Sequence, residues 1–223
     1  MSLALYFHPL SGYCQKVLMA LYENETPFAP HIVDLGDPAS SAKFKKIWPI
    51  GKFPVLRDEA KDRTIPESSI IIEYLARHYP GKTKLVPDDP ELARQTRLRD
   101  RYFDLYVSEP MAKVVTDRLR PAGKNDPYGV AHAKALLQTA CGMIEQELAT
   151  PNGAKSGTQN WATGNAFSMA DCAAAPALYY ADLVMPLAPA FKNTAAYLER
   201  LMQRPSFARA VKEAEPYRAL FPS

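Results

Sequence analysis

The sequence predicts an α/β domain at the N-terminus followed by an all-α helical bundle. Over the first 80 residues, short apolar runs of strand character alternate with apolar stripes at helical spacing. Turn residues are concentrated between Pro80 and Pro90, and beyond them the pattern is helical throughout. We therefore predict domains at residues 1–80 and 91–223, joined by a linker at 81–90.

The N-terminal domain is predicted to begin with a buried strand at 3–7, which turn residues follow. A helix then starts, and one apolar stripe runs along it through Cys14, Val17, Leu18, Leu21 and Tyr22. Pro27 ends this helix, and residues 28–33 form a second predicted strand. Because two strands joined by a helix make a βαβ unit, we expect these strands to be parallel.

The rest of this domain is predicted to contain a helical segment at 39–47, strands around 55–56 and 64–65, and a helix at 68–79. The predicted order is therefore β-α-β-α-β-β-α.

The second domain is predicted to contain helices only. A long helical segment covers 91–118, with a kink or break at Pro110. Further helices are predicted along the apolar stripe from Ala133 to Leu148 and at 169–183, 191–203 and 207–213. At the start of the helix predicted at 169–183, Ser168 and Asp171 have the spacing of a capping box, which we interpret as structural.

The composition argues against several classes of protein. The 27 Lys and Arg residues are balanced by 24 Asp and Glu, so nothing favours a nucleic-acid partner, and the basic stretch at 94–101 is interpreted as a solvated or interfacial helix face. The start lacks a signal-peptide pattern, and the longest uncharged apolar run, 172–181, is too short to span a membrane. Three distant cysteines and four histidines without metal-ligand spacing indicate a cytoplasmic protein without a metal.

Ser11 marks the first candidate site, since Ser11-Gly12-Tyr13-Cys14 lies where the first strand meets the first helix. Helix N-terminal N–H groups and the helix dipole favour an anion there, and a thiolate is such an anion. Ser11 as a plain N-cap is the alternative. Cys14 lies on the apolar stripe, so we interpret it as a core residue.

Three segments together resemble the cytosolic glutathione S-transferase family: HPLSGYCQKV at 8–17, WPIGKFPVL at 48–56 and ESSI at 67–70. The resemblance implies a thioredoxin-like N-terminal domain, an all-helical second domain and a homodimer. It places Ser11 in the slot of the catalytic serine of serine-type members, where its hydroxyl donates a hydrogen bond to the glutathione sulfur. Tyr6 is the alternative donor, because other branches use a tyrosine on the first strand. Trp48 stands where asparagine is usual.

The same resemblance implies how glutathione is held. Pro54 is expected to be cis, which turns the N–H and C=O of Phe53 toward the cysteinyl backbone. Lys52 reaches the glycine carboxylate or is only a solvated turn residue. Glu67 faces the ammonium, and Ser68 at a helix N-terminus holds the γ-glutamyl carboxylate, although capping alone also explains a serine there.

The expected function is a glutathione transferase that attacks a small hydrophobic electrophile, with glutathione as co-substrate and no cofactor. Candidates for the electrophile pocket are Tyr102, Tyr106, Met111 and Val115 on the first helix of the second domain. The alternatives are a glutathione-dependent thiol oxidoreductase or peroxidase, which needs a low-pKa cysteine where Ser11 stands, and a non-catalytic glutathione-binding module.

Overall fold

The N-terminal domain is built on a four-stranded mixed sheet. The computed structural model describes residues 2–149 and 160–222, so residues 150–159 of the predicted second domain lie outside the described residues. The strands are β1 (Leu3–Phe7), β2 (Ala29–Ile32), β3 (Val55–Asp58) and β4 (Arg63–Pro66), in the spatial order β2-β1-β3-β4. The β1 and β2 strands are parallel, as the βαβ pattern predicted, and the other two pairs are antiparallel.

Helices cover both faces of this sheet: α1 (Gly12–Glu23), α2 (Pro38–Ile47) and α3 (Ser68–His78). Alternate residues of β1 point to opposite faces, so Leu3, Leu5 and Phe7 enter the main core with α1 and α3. On the other face, a small cluster of Val33, Phe44 and Val55 packs under α2. The predicted order of strands and helices in this domain is confirmed.

The second domain is helical throughout its described residues. Its helices are α4 (Pro90–Tyr102), α5 (Glu109–Asp117), α6 (Pro127–Ala149), α7 (Met169–Val184), α8 (Lys192–Met202) and α9 (Pro205–Ala214), and a 3₁₀ segment covers Glu215–Leu220. Among residues 2–149 and 160–222, no helix has the length and apolar character needed to cross a membrane.

The long helix predicted at 91–118 is interrupted, but not at Pro110. A π-helical segment, Phe103–Ser108, separates α4 from α5, and Pro110 lies in the first turn of α5. Proline lacks an N–H and its ring clashes with the preceding turn, so the helix widens before Pro110 instead of kinking at it.

Helix α7 forms the centre of the second domain and begins with the predicted capping box. The Ser168 N–H donates to Asp171 Oδ2 at 2.8 Å, and Asp171 Oδ1 accepts from the Ala162 N–H at 2.8 Å and from the Tyr197 hydroxyl at 2.5 Å. Burial raises the pKa of Asp171, and these hydrogen bonds oppose that shift. Asp171 is thus a structural group that fixes the start of α7.

Candidate active site

The turn between β1 and α1 presents Ser11 at the N-cap of α1. The Ser11 C=O accepts the N–H groups of Cys14 and Gln15, both at 2.9 Å, but its side chain makes no capping hydrogen bond. Among the described residues, no partner is found for the N–H groups of Gly12 and Tyr13. The helix end therefore offers free N–H donors and a hydroxyl that the cap does not use, as an anion site requires.

Cys14 and Tyr6 occupy different environments from Ser11. Cys14 is fully buried, and burial raises the pKa of its thiol to about 12 even though the Ser11 hydroxyl opposes the shift. Tyr6 packs on the α2 side of the sheet, where its ring stacks on His31 at a centroid distance of 4.8 Å. Burial thus makes Cys14 a core residue without a reactive thiolate.

A cleft of about 300 Å³, here called the polar cleft, opens between the two domains beside this turn. It brings together all five residues predicted to hold glutathione. The lining residues are Tyr13, Trp48, Lys52, Phe53, Pro54, Glu67, Ser68, Arg101, Asp104, Leu105 and Glu109.

Two backbone features face the polar cleft. The Phe53–Pro54 bond is cis, as predicted, and the N–H and C=O of Phe53 find no partner among the described residues. Glu67 has φ of +69°, a left-handed conformation that is unfavourable for a residue with a side chain. It leads into Ser68, which is 6% exposed at the N-terminus of α3. The cleft thus offers backbone groups as well as side chains to a ligand.

A buried charge cluster lies behind the polar cleft and consists of Lys16, Ser69, Asp100 and Asp104. The Lys16 Nζ lies 2.6 Å from Asp100 Oδ1, 2.8 Å from Asp104 Oδ2 and 2.9 Å from Ser69 Oγ. Asp100 Oδ1 has no hydrogen bond of good geometry, so its contact with Lys16 is an ion pair. Burial raises the pKa of Asp100, and Lys16 opposes that shift. Arg101 pairs with Asp104 from the solvent side, which connects the cluster to the cleft.

A second cavity of about 300 Å³, here called the aromatic cavity, lies on the other side of the Ser11 turn. Its lining residues are Leu10, Gln15, Arg118, Tyr179, Tyr180, Leu183, Val211, Ala214, Glu215, Arg218, Phe221 and Pro222. A Cβ added to Gly12 would lie 3.6 Å from the Tyr180 ring, so the Ser11 turn contacts the wall of this cavity. Tyr13 lines the polar cleft, so the turn separates the two cavities.

The comparisons with known proteins agree with this geometry. Residues 5–83 match the family model described as glutathione S-transferase, N-terminal domain, and residues 127–200 match the one described as glutathione S-transferase, C-terminal domain. A glutathione S-transferase-like protein, LUC7, from a Fusarium species is 30% identical over 79% of this chain and 76% of its own length. The chain belongs to the glutathione S-transferase family.

Two further proteins that this chain resembles carry different names. A glutathione S-transferase from Methylobacterium radiotolerans, solved in complex with glutathione sulfonate, has 25% identity and a TM-score of 0.79, with 94% of both chains covered. A stringent starvation protein A homolog from Histophilus somni is 24% identical over 96% of this chain and 92% of its own length. The chain therefore resembles both a transferase with a glutathione derivative bound and a protein whose name does not mention transfer.

Four residues were predicted to line the electrophile pocket. None of them lines the polar cleft or the aromatic cavity. Tyr102 is buried and donates its hydroxyl to the Ala140 C=O at 3.0 Å, and Met111 and Val115 are buried in the core. Tyr106 is 46% exposed, with its ring 5.2 Å from that of Tyr102. Of the four, Tyr102 contacts α6 through this hydrogen bond, and the assignment of the set to an electrophile pocket stays a prediction.

Sequence reasoning missed several residues around the transferase-family cleft and cavity. Arg101 was treated as part of a helix surface, and Asp104 and Gln15 were not considered. His8 lies between the rings of Phe53 and Tyr217, at centroid distances of 6.1 and 5.1 Å, and burial lowers its pKa. Among the described residues, no three His, Cys, Asp or Glu side chains are arranged to hold a metal ion.

Proposed function

We propose that the protein is a glutathione transferase that binds glutathione in the polar cleft and activates its thiol at Ser11. The observation that carries this proposal is the convergence of Lys52, cis-Pro54, Glu67 and Ser68 on one cleft beside an uncapped helix N-terminus. The reaction joins the glutathione sulfur to an electrophilic carbon, whose leaving group departs with its bonding electron pair while the thiol proton goes to solvent.

The charges of the cleft complement those of glutathione. Its γ-glutamyl carboxylate is proposed to bind at Ser68 and the N-terminal N–H groups of α3, with Glu67 and Asp104 facing the ammonium. The unpaired backbone groups of Phe53 suit the cysteinyl backbone like an added strand. Lys52 is exposed at the rim and suits the glycine carboxylate.

In this proposal, Ser11 stabilises the glutathione thiolate, and the aromatic cavity binds the electrophile. A free thiol of pKa ~8.5 is only about 3% ionised at pH 7, and a drop of two units corresponds to roughly 2.7 kcal/mol. Because intrinsic nucleophilicity falls with the pKa, ionisation alone gains only a few-fold. Holding the electrophile beside the sulfur supplies more, since orientation is worth about 7–11 kcal/mol.

The test compares Ser11→Ala with Tyr6→Phe in a pH titration of the glutathione complex, followed by the ultraviolet absorbance of the thiolate. Losing one hydrogen bond to a charged sulfur costs about 1.5–3 kcal/mol, so Ser11→Ala should raise the thiol pKa by roughly one to two units. Tyr6→Phe should leave the titration in place. A shift with Tyr6→Phe alone would assign the protein to the tyrosine branch.

Glu67→Ala and Ser68→Ala test the glutathione site itself. Both should weaken glutathione binding in calorimetry, because each removes a polar group from the cleft. Unchanged affinity in both variants would contradict this placement of glutathione.

A non-catalytic glutathione-binding module is the second candidate function, favoured by the similarity to the stringent starvation protein A homolog. Retention on a glutathione column without conjugation of any electrophile would support it. A thiol oxidoreductase acting through Cys14 is disfavoured, because burial holds the pKa of that thiol high.

The proposal includes a cytoplasmic homodimer with glutathione as co-substrate and no cofactor. Ile70 on α3 and Leu98 on α4 are both 53% exposed, and Arg97 pairs with Glu73 at 2.8 Å to join these two helices into one surface. Sedimentation should report about twice 24.8 kDa, and a monomer at micromolar concentration would remove the dimer from the proposal.

A further inference from the structure

We propose that the electrophile of this protein is an aromatic compound bearing a carboxylate, and that Arg118 and Arg218 of the aromatic cavity bind that group. The inference rests on the proposed function, because it concerns the substrate class of the same reaction. According to this inference, the two arginines make the protein prefer acidic electrophiles to neutral ones.

The body of the cavity suits an aromatic ring. The rings of Tyr180 and Phe221 stack in parallel with centroids 5.4 Å apart, and they form one wall. Tyr179 and Leu183 add apolar surface from the same helix. A planar ring placed here gains contact area and stacking on tyrosine.

The two arginines differ from most others in the chain because neither forms an ion pair with a described carboxylate. Eight arginines do, namely Arg57, Arg94, Arg97, Arg99, Arg101, Arg120, Arg204 and Arg209. Arg118 donates to the Pro222 C=O at 2.9 Å, which leaves most of its five N–H donors free. Arg118 and Arg218 line the same cavity.

Among the described residues that line the cavity, Arg118 and Arg218 are cations and Glu215 is the one carboxylate, so this lining is positive on balance. Two guanidinium groups against one carboxylate leave one cation for a ligand. The planar guanidinium fork matches a carboxylate in two parallel hydrogen bonds, so a carboxylate is the group that this arrangement selects.

A buried amide fixes one wall of the cavity. Gln15 is fully buried, and its Nε2 donates to the Pro9 C=O at 2.9 Å and to the Tyr180 hydroxyl at 3.1 Å. Its Oε1 has no partner among the described residues although the side chain lines the cavity. The hydrogen bond from Gln15 to the Tyr180 hydroxyl holds in place the ring that forms one wall of the cavity.

The test uses a chlorodinitrobenzoate and the corresponding chlorodinitrobenzamide, which share the ring, the leaving group and the site of attack. With glutathione at saturation, the wild-type protein should show a KM about tenfold or more lower for the acid, the preference expected of a charge-assisted hydrogen bond. Arg118→Gln/Arg218→Gln should abolish this preference. The matched control is Arg94→Gln, an exposed arginine that pairs with Glu91 on α4, and it should keep the preference.

A binding measurement separates this inference from the proposed function. Calorimetry with the unreactive dinitrobenzoate and dinitrobenzamide, without glutathione, should show tighter binding of the acid that depends on the two arginines. If acid and amide bind alike, or if the double variant keeps the preference, the inference is wrong even when both chlorides are conjugated. If the acid binds preferentially but no electrophile is conjugated, the anion site stands and the proposed function fails.

Discussion

Replacing Lys16 with Met tests what holds the charge cluster behind the polar cleft. Lys16 and Asp100 are both 1% exposed, and the Lys16 ammonium also lies 2.8 Å from Asp104. Methionine is of similar length and flexible, so it keeps the packing while removing the charge. Asp100 is then left buried with only the longer contact from Arg101, whose Nε lies 3.8 Å from Asp100 Oδ2, whereas Asp104 keeps its close contact with Arg101.

Removing one partner of a buried ion pair costs about 3–5 kcal/mol, because the remaining charge stays uncompensated. With a urea slope of about 2–3 kcal/mol per molar, the unfolding midpoint at pH 7 should fall by about 1–2.5 M. Without Lys16 the pKa of Asp100 in the folded state rises further above its unfolded value. Protonation of Asp100 at lower pH therefore stabilises the folded state relative to the unfolded state. The deficit should therefore shrink as the pH falls toward about 4.

Two further variants make this prediction refutable. Asp100→Asn in the Lys16→Met background removes the uncompensated charge and should recover at least half of the lost stability. Arg94→Gln is the surface control and should stay within about 0.5 kcal/mol of the wild type. If Lys16→Met unfolds within about 1 kcal/mol of the wild type at pH 7, the cluster is not held together by its ammonium.

Three other predictions concern buried groups away from the substrates. Cys14→Ala should cost about 1–2 kcal/mol in urea unfolding and leave the thiolate titration unchanged, since this thiol belongs to the core. Asp171→Ala should cost about 3–5 kcal/mol in thermal unfolding, because it leaves buried donors unpaired at the start of α7. Burial tends to raise the pKa of Glu23, but hydrogen bonds from Arg204 and Ser206 hold it below its usual range. Its contribution is therefore present above about pH 4.5 and lost below it, so the stability gap to Glu23→Gln should narrow in urea unfolding as the pH falls.

Local sequence patterns were sufficient for most of the fold. The βαβ spacing around Pro27 predicted the parallel pair of β1 and β2, and the Ser168 and Asp171 spacing predicted the capping box. Such features depend only on residues that are near one another in the chain, so they can be predicted from a single amino-acid sequence.

The predicted apolar stripe on α1 gave an incomplete account of that helix. Residues 14–21 are all buried, because α1 is packed between the sheet on one side and α7 and α9 on the other. Gln15 and Lys16 are therefore buried polar groups with particular partners. Two polar residues within an otherwise apolar stretch of helix were the available signal. Apart from Pro9, however, the partners of Gln15 and Lys16 lie 53 to 165 positions away in the chain.

The aromatic cavity was beyond sequence reasoning for a similar reason. Its walls come from the start of α1, the end of α5, the end of α7, α9 and the residues that follow α9. A helical stripe shows that a face is buried but not which neighbour buries it. For this reason Tyr102 was assigned to a pocket although its hydroxyl bonds to α6, and Met111 and Val115 were assigned to it although they are buried in the core.

At Glu67, the residue that would be best for the stability of the fold differs from the residue that is proposed to bind glutathione, because the backbone there is left-handed. Glycine adopts φ of +69° without the cost that a side chain incurs there, about 1–2 kcal/mol. Glu67→Gly would thus relieve the backbone while removing the carboxylate from the polar cleft. Directed evolution for heat resistance alone would enrich glycine here and erode glutathione affinity, so a library built on this scaffold should hold residue 67 fixed.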